Sequence, residues 1–305
     1  MGRRLLSSAS RRRSGLLFSA SCYLLHRFRT PQIHVAPRTL ETLAYEEVRA
    51  SDRPITSTAF VLHGLLGSAR NWRTFSRKLV SDLQKSSPSN EWRMILVDLR
   101  NHGKSAGIRV LDPPHDMTNA AKDLANLVKF QEWEWPDVII GHSMGGKVAL
   151  DFAASCARGD YGESAVLPKQ LWVLDSVPGE VSPDEGDGEV EKVLHTLTSL
   201  PSSLPSRKWL VDHMIGLGFS KSLSEWMGSN LKKSGDEVTW TFELHAAIKM
   251  FNSYRETSYW HILEQPQKEW RLRLCELRIV TDGRSLYLKR WHICQRRRGE
   301  QRRER

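Results

Sequence analysis

The chain has 305 residues, of which 40% are apolar and 26% charged, and a formal charge of +10. This composition excludes a disordered or fibrous protein and allows one large core or two smaller ones. No apolar run reaches the roughly 18 residues that a membrane-spanning helix needs. The basic excess sits at the two ends, with eight Arg and no acid in residues 1–40 and twelve Lys or Arg against four acids in 271–305. Residues 41–270 hold 25 basic against 31 acidic side chains, so the body has no phosphate-binding footprint and nucleic acid is not an expected partner. Cys22, Cys156, Cys275 and Cys294 are too widely spaced for a zinc pattern. No metal or organic cofactor is implied.

In chain order, residues 1–40 combine Arg, Ser and Leu without Asp or Glu, the composition of an organelle transit peptide. The expected destination is the mitochondrion, with the chloroplast as the alternative. From residue 41 short apolar runs alternate with helical patterns. TAFVLHG, RMILVDL, DVIIG and LWVLDS read as strands buried on both faces. NWRTFSRKLVSDL, DMTNAAKDLANLVKF and GGKVALDFAASCA carry apolar residues at three- and four-residue spacing. The alternation predicts an α/β fold with a doubly wound, mostly parallel sheet. Residues 180–260 are broken by Ser, Pro and Gly, and KWLVDHMIGLGF and ELHAAIKMF between them predict a helical cap.

Within DVIIGHSMGGKVAL, residues 141–145 match G-x-S-x-G between a predicted strand and a predicted helix. In that tight turn the positions two before and two after Ser143 must lack side chains. The helix that follows turns free backbone N–H groups toward a developing oxyanion. Ser143 is the candidate nucleophile, and the Met144 N–H one oxyanion donor. His63-Gly64-Leu65-Leu66-Gly67 follows the strand TAFVL and brings the Leu65 N–H as the second donor. His63 is expected to shape that loop rather than act as a base.

HGLLGSARNW, ILVDLRNHGKS, GHSMGGKVAL and LWVLDSVPG together resemble the α/β-hydrolase superfamily, and within it a branch of mitochondrial and bacterial short-chain esterases. The likeness covers residues 41–270. It implies an α/β-hydrolase fold, a cap at about 180–260, and hydrolysis of a small carboxylic ester or thioester through an acyl-enzyme on Ser143. In the segment Asp98 to Ser105 it implies a turn held at the carboxyl edge of the sheet, with His102 structural. Asp175, at the end of the strand after the nucleophile helix, is the candidate acid. Its alternatives are an acid after the next strand, or a mere turn cap at Asp175.

The superfamily's chain order places a histidine after the last strand. Beyond Asp175, His195, His213, His245 and His261 fall in the predicted cap, and His292 lies in an Arg-rich tail, so the general base is unassigned. Residues 271–305 lose the pattern and resemble translation out of frame. Read so, the C-terminal strands are missing. The alternative function is then a truncated, non-catalytic pseudo-hydrolase that binds an acyl ligand or a partner, since loss of a triad histidine costs on the order of a million-fold in turnover.

Overall fold

A computed structural model describes residues 31–35, 42–108, 111–182, 188–264, 271–279 and 286–291. The predicted transit segment therefore lies outside the described residues, apart from 31–35. Within these, β1 (Gln32–Val35) pairs antiparallel with β2 (Tyr45–Arg49).

The predicted strands form as β3 (Ser57–Leu62), β4 (Trp92–Val97), β5 (Val138–His142) and β6 (Gln170–Leu174). Between them lie α1 (Arg73–Ser86), α2 (Met117–Phe130) and α3 (Met144–Arg158). Asp116 starts α2 by accepting the Asn119 N–H at 2.7 Å. Gly159, at φ 79°, ends α3 in the left-handed conformation that glycine adopts without a Cβ penalty.

The cap region runs through α4 (Gly188–Ser199), β7 (Ser203–Leu204), α5 (Arg207–Gly216), α6 (Lys221–Gly228), β8 (Leu231–Ser234), β9 (Glu237–Trp240), α7 (Leu244–Glu256) and α8 (Trp260–Glu264). It is helical as expected, but also holds a three-stranded antiparallel sheet in the order β7-β9-β8. The turn between β8 and β9 is Gly235-Asp236, with Gly235 at φ 63°. A Gly-Asp pair is a hairpin signal that the Ser, Pro and Gly content around it masks.

The main sheet has the order β1-β2-β4-β3-β5-β6-β10-β11, with β10 (Arg271–Ile279) and β11 (Leu286–Trp291) beyond β6. Strands β4, β3, β5, β6 and β10 run parallel, and β1, β2 and β11 are antiparallel to their neighbours. The sheet thus extends where the sequence reading has its last strands missing. In RLRLCELRI the halves RLRL and CELRI each alternate at period two, the mark of a strand, but the phase slips at Cys275 and the Arg content obscures the pattern. Only residues 280–285 join β10 to β11, too few for a parallel crossover, so β11 returns antiparallel.

The pleat sorts the core into two faces. Phe60, Leu62, Ile95, Val97, Ile139, Leu171 and Val173 point to the face covered by α2 and α3. Ala59, Val61, Met94, Leu96, Val138, Ile140 and Leu174 point to the other. Among the described residues α1 is the helix packed on that second face, and its side toward β5 and β6 is open.

Candidate active site

Ser143 sits between the end of β5 and the start of α3 at φ 50°, ψ −120°, a backbone region that is costly for a residue with a Cβ. The surroundings hold it there. Its N–H donates to the Leu174 carbonyl at 2.9 Å, and its carbonyl accepts the Gly146 N–H at 2.8 Å. A Cβ on Gly141 would lie 2.2 Å from the Gly145 carbonyl oxygen, and one on Gly145 would lie 2.6 Å from that of His63. The two glycines therefore let β5, α3 and the loop after β3 close around the serine.

Met144 is the first residue of α3, where helix geometry leaves its N–H without an intrahelical acceptor. Leu65 lies in the loop after β3, in which Gly64 approaches so closely that a Cβ there would stand 3.2 Å from Cβ of Ser143. Among the described residues neither N–H is engaged by another group.

Two histidines lock this loop to the turn after β4. The Nδ1–H of His63 donates to the Gly64 carbonyl at 2.8 Å, while its Nε2 accepts the Leu99 N–H at 3.0 Å. His102 reciprocates, donating from Nδ1 to the Arg100 carbonyl at 2.8 Å and accepting the Leu66 N–H at Nε2 at 2.9 Å. Burial holds the His63 ring down to about 4 and the His102 ring down to about 3, so both are neutral and both nitrogens of each are engaged. Neither is available as a base. Asp98 completes the turn by accepting the N–H groups of Ala69 at 2.7 Å and Lys104 at 2.9 Å.

Asp175 follows β6 at φ 48°, half-exposed, on the same sheet edge as Ser143. Its Oδ2 lies 3.8 Å from Nε2 of His142, the residue before the nucleophile. The other ring nitrogen of His142 and the Ser143 Cβ flank one point: a Cβ on Gly64 would be 3.0 Å from the first and 3.2 Å from the second. Burial lowers the His142 pKa and the Asp175 charge pulls it back up, so the ring is neutral at pH 7 with a carboxylate poised to favour its protonated form. Sequence reasoning missed His142, since the variable position of G-x-S-x-G gives no signal of its own. It also missed Trp72, whose ring lies 5.7 Å from that of His142.

Ser143, Leu65, Met144, Asp175 and His142 line one cavity of about 1220 Å³. Apolar side chains dominate its wall, including Trp226, Phe251 and Tyr254 from the cap. Among the described residues no group of three or more His, Cys, Asp or Glu is placed to hold a metal ion. Cys156 is buried in α3, and burial pushes its thiol up to about 12, which leaves it unreactive.

A model of the alpha/beta hydrolase fold matches residues 60–155. The sn-1-specific diacylglycerol lipase ABHD11 of Danio rerio is 27% identical over 188 residues, 61% of this chain and 53% of that protein. Protein phosphatase methylesterase 1 of Homo sapiens is 33% identical over 99 residues, 31% of this chain and 23% of that protein. Among solved structures, a marine microorganism esterase superposes with a TM-score of 0.56 at 25% identity, covering 70% of this chain and 74% of that one. The chain spans about half the length of the ABHD11 proteins it matches.

Proposed function

We propose that this chain, a member of the α/β-hydrolase superfamily resembling ABHD11, is a serine hydrolase that cleaves a carboxylic ester or thioester through an acyl-enzyme on Ser143. The observation that carries this reading is the serine itself. It is held in a strained turn at the mouth of an apolar cavity, with the untaken N–H groups of Leu65 and Met144 beside it.

In this reading Oγ of Ser143 attacks the carbonyl carbon as His142 takes its proton, and the carbonyl electron pair moves onto oxygen. The Leu65 and Met144 N–H groups stabilise that oxyanion; removing one such donor costs about 100- to 1000-fold. Collapse of the intermediate breaks the bond to the alkoxide or thiolate, which leaves with the proton from His142. Water then attacks the acyl-enzyme by the same path, and Asp175 stabilises the imidazolium each time it forms. The relatives' lipase and esterase names support an ester substrate. The basic, acid-free residues 1–40 support a mitochondrial location, with the chloroplast as the alternative.

A fluorophosphonate probe tests the reading, because it labels only an activated serine. Labelling of the native chain that disappears in Ser143→Ala is the expected result. Absence of labelling in folded protein overturns it. A second reading, a pseudo-hydrolase that binds an acyl ligand without turnover, is favoured by one observation: among the described residues, no histidine beyond Asp175 lines the cavity.

A further inference from the structure

The loop that carries the Leu65 donor is a four-residue turn, Gly64 to Gly67, closed by the Gly67 N–H donating to the Gly64 carbonyl at 3.0 Å. Its third residue, Leu66, has φ 58°, at the place where a type II turn ordinarily takes glycine or asparagine. A leucine stays in that conformation only where its surroundings hold it. Leu66 is buried, and both of its backbone polar groups are taken. The sheet domain holds the N–H through Nε2 of His102 at 2.9 Å, and the cap holds the carbonyl through Nδ2 of Asn230, also at 2.9 Å.

Asn230 is itself pinned between α6 and β8. Its N–H donates to the Met227 carbonyl at 3.0 Å and its carbonyl accepts the Thr241 N–H at 2.8 Å, so the buried side chain leaves the cap from a fixed backbone. A carbonyl only accepts, so it is the amide nitrogen of Asn230 that must face Leu66. From that nitrogen a chain of hydrogen bonds crosses two peptide groups. Asn230 donates to the carbonyl of the peptide between Leu66 and Gly67, and the N–H of that same peptide donates to the carbonyl between Gly64 and Leu65. The N–H at the far end of this second peptide is that of Leu65, the oxyanion donor. A hydrogen bond accepted by a peptide carbonyl makes the N–H of that peptide a stronger donor, by about 10–30% per bond.

We propose that Asn230 is a positioning residue for the oxyanion hole: from the cap it orients and polarises the Leu65 N–H, so that the hole is complete only with the cap seated on the sheet domain. The proposal rests on the reading of Ser143 as nucleophile. It makes the cap part of the catalytic apparatus as well as a wall of the cavity. The Leu65 N–H meets full negative charge only after Oγ of Ser143 has added to the carbonyl carbon, so the contribution of Asn230 falls on the transition state and not on substrate binding.

Two variants of the full chain test it. Asn230→Leu removes the donor at nearly constant volume, and Asn230→Asp at pH 8 removes it at constant shape. With p-nitrophenyl butyrate each is expected to lower kcat about 5- to 20-fold, with KM within about twofold and the circular dichroism unchanged; loss of a hole donor itself costs about 100- to 1000-fold. Butyl trifluoromethyl ketone gives a readout that needs no turnover. Oγ of Ser143 adds to its carbonyl carbon, the proton passes to His142, and the carbonyl electron pair settles on the oxygen in the hole. Its affinity should fall by the same factor as kcat. A kcat that stays in place in both variants, or a rise in KM with ketone affinity retained, makes Asn230 an ordinary cap contact and overturns the proposal while the hydrolase reading stands. A native chain that neither hydrolyses the ester nor binds the ketone overturns the hydrolase reading, and the proposal with it.

Discussion

His142 departs furthest from what its position suggests. Its Nε2 lies 3.8 Å from the Asp175 carboxylate, and a Cβ on Gly64 would stand 3.0 Å from its Nδ1 and 3.2 Å from the nucleophile's Cβ. Replacing it by Gln removes the proton acceptor while keeping a polar side chain of similar reach. The expected result is a fall in kcat of about 100- to 10,000-fold with little change in KM. Asp175→Asn makes a sharper test. Catalysis needs the neutral ring, so activity falls as pH drops through the His142 pKa, which burial sets below 6.5. Removing the Asp175 charge takes away the influence that raises that pKa. The acid limb of kcat against pH should therefore move to still lower pH as kcat declines. A limb that stays in place shows that Asp175 merely caps its turn. That Ser143, Leu65, Met144 and Asp175 meet at one cavity was legible in the sequence because each stands at a fixed offset from a strand end. His142 was not, since its part depends on how Gly64 and Asp175 approach it in space.

The loop after β3 and the turn after β4 share one device, a reciprocal exchange in which each segment's histidine accepts an N–H of the other. The rings are buried with centroids 5.0 Å apart, so they tolerate no positive charge. In the unfolded chain both protonate near pH 6.5, whereas folded they resist to about 4 and about 3. Between those limits the unfolded state binds more protons, and the stability present above pH 6.5 drains away as pH falls. Each tenfold difference in proton affinity between the folded and unfolded chain is about 1.4 kcal/mol, so with two such rings the loss reaches several kcal/mol by pH 4. The urea midpoint should decline steeply between pH 6.5 and 4, and less steeply in His102→Gln, which carries one titrating ring fewer. Equal slopes count against the device. The parallel strands were readable at this scale because runs buried on both faces have no polar interruptions. β10 and the β8–β9 hairpin were hidden, since the arginines of RLRLCELRI and the paired lysines of LKKS imitate a solvated segment.

Across the whole molecule, one apolar core runs from the sheet through α2 and α3 into the cap, and polar stitches reinforce that join. Asn230 donates from Nδ2 to the Leu66 carbonyl at 2.9 Å, which steadies the loop that presents Leu65. Asn101 exchanges two hydrogen bonds with the backbone of Glu243, each 2.8 Å, at the start of α7. The strongest stitch is Lys147, fully buried in α3 one turn after Ser143. Its ammonium donates to the carbonyls of Gly179 at 2.6 Å, Thr257 at 2.8 Å and Tyr254, and so ties the nucleophile helix to both chain entries of the cap. A buried ammonium costs several kcal/mol in desolvation, which carbonyls at this distance largely offset. Removing it strands those carbonyls at about 1–3 kcal/mol each, while relieving the desolvation of the charge. Lys147→Met keeps the volume of the side chain, so cavity formation does not confuse the result. The net expectation is a destabilisation of about 2 kcal/mol, or a fall of about 4–8 °C in Tm for a domain of this size, read by calorimetry. Because the stitch holds cap to sheet rather than strand to strand, limited proteolysis should cut Lys147→Met first within 180–260. A uniform digestion pattern would instead make Lys147 an ordinary core residue.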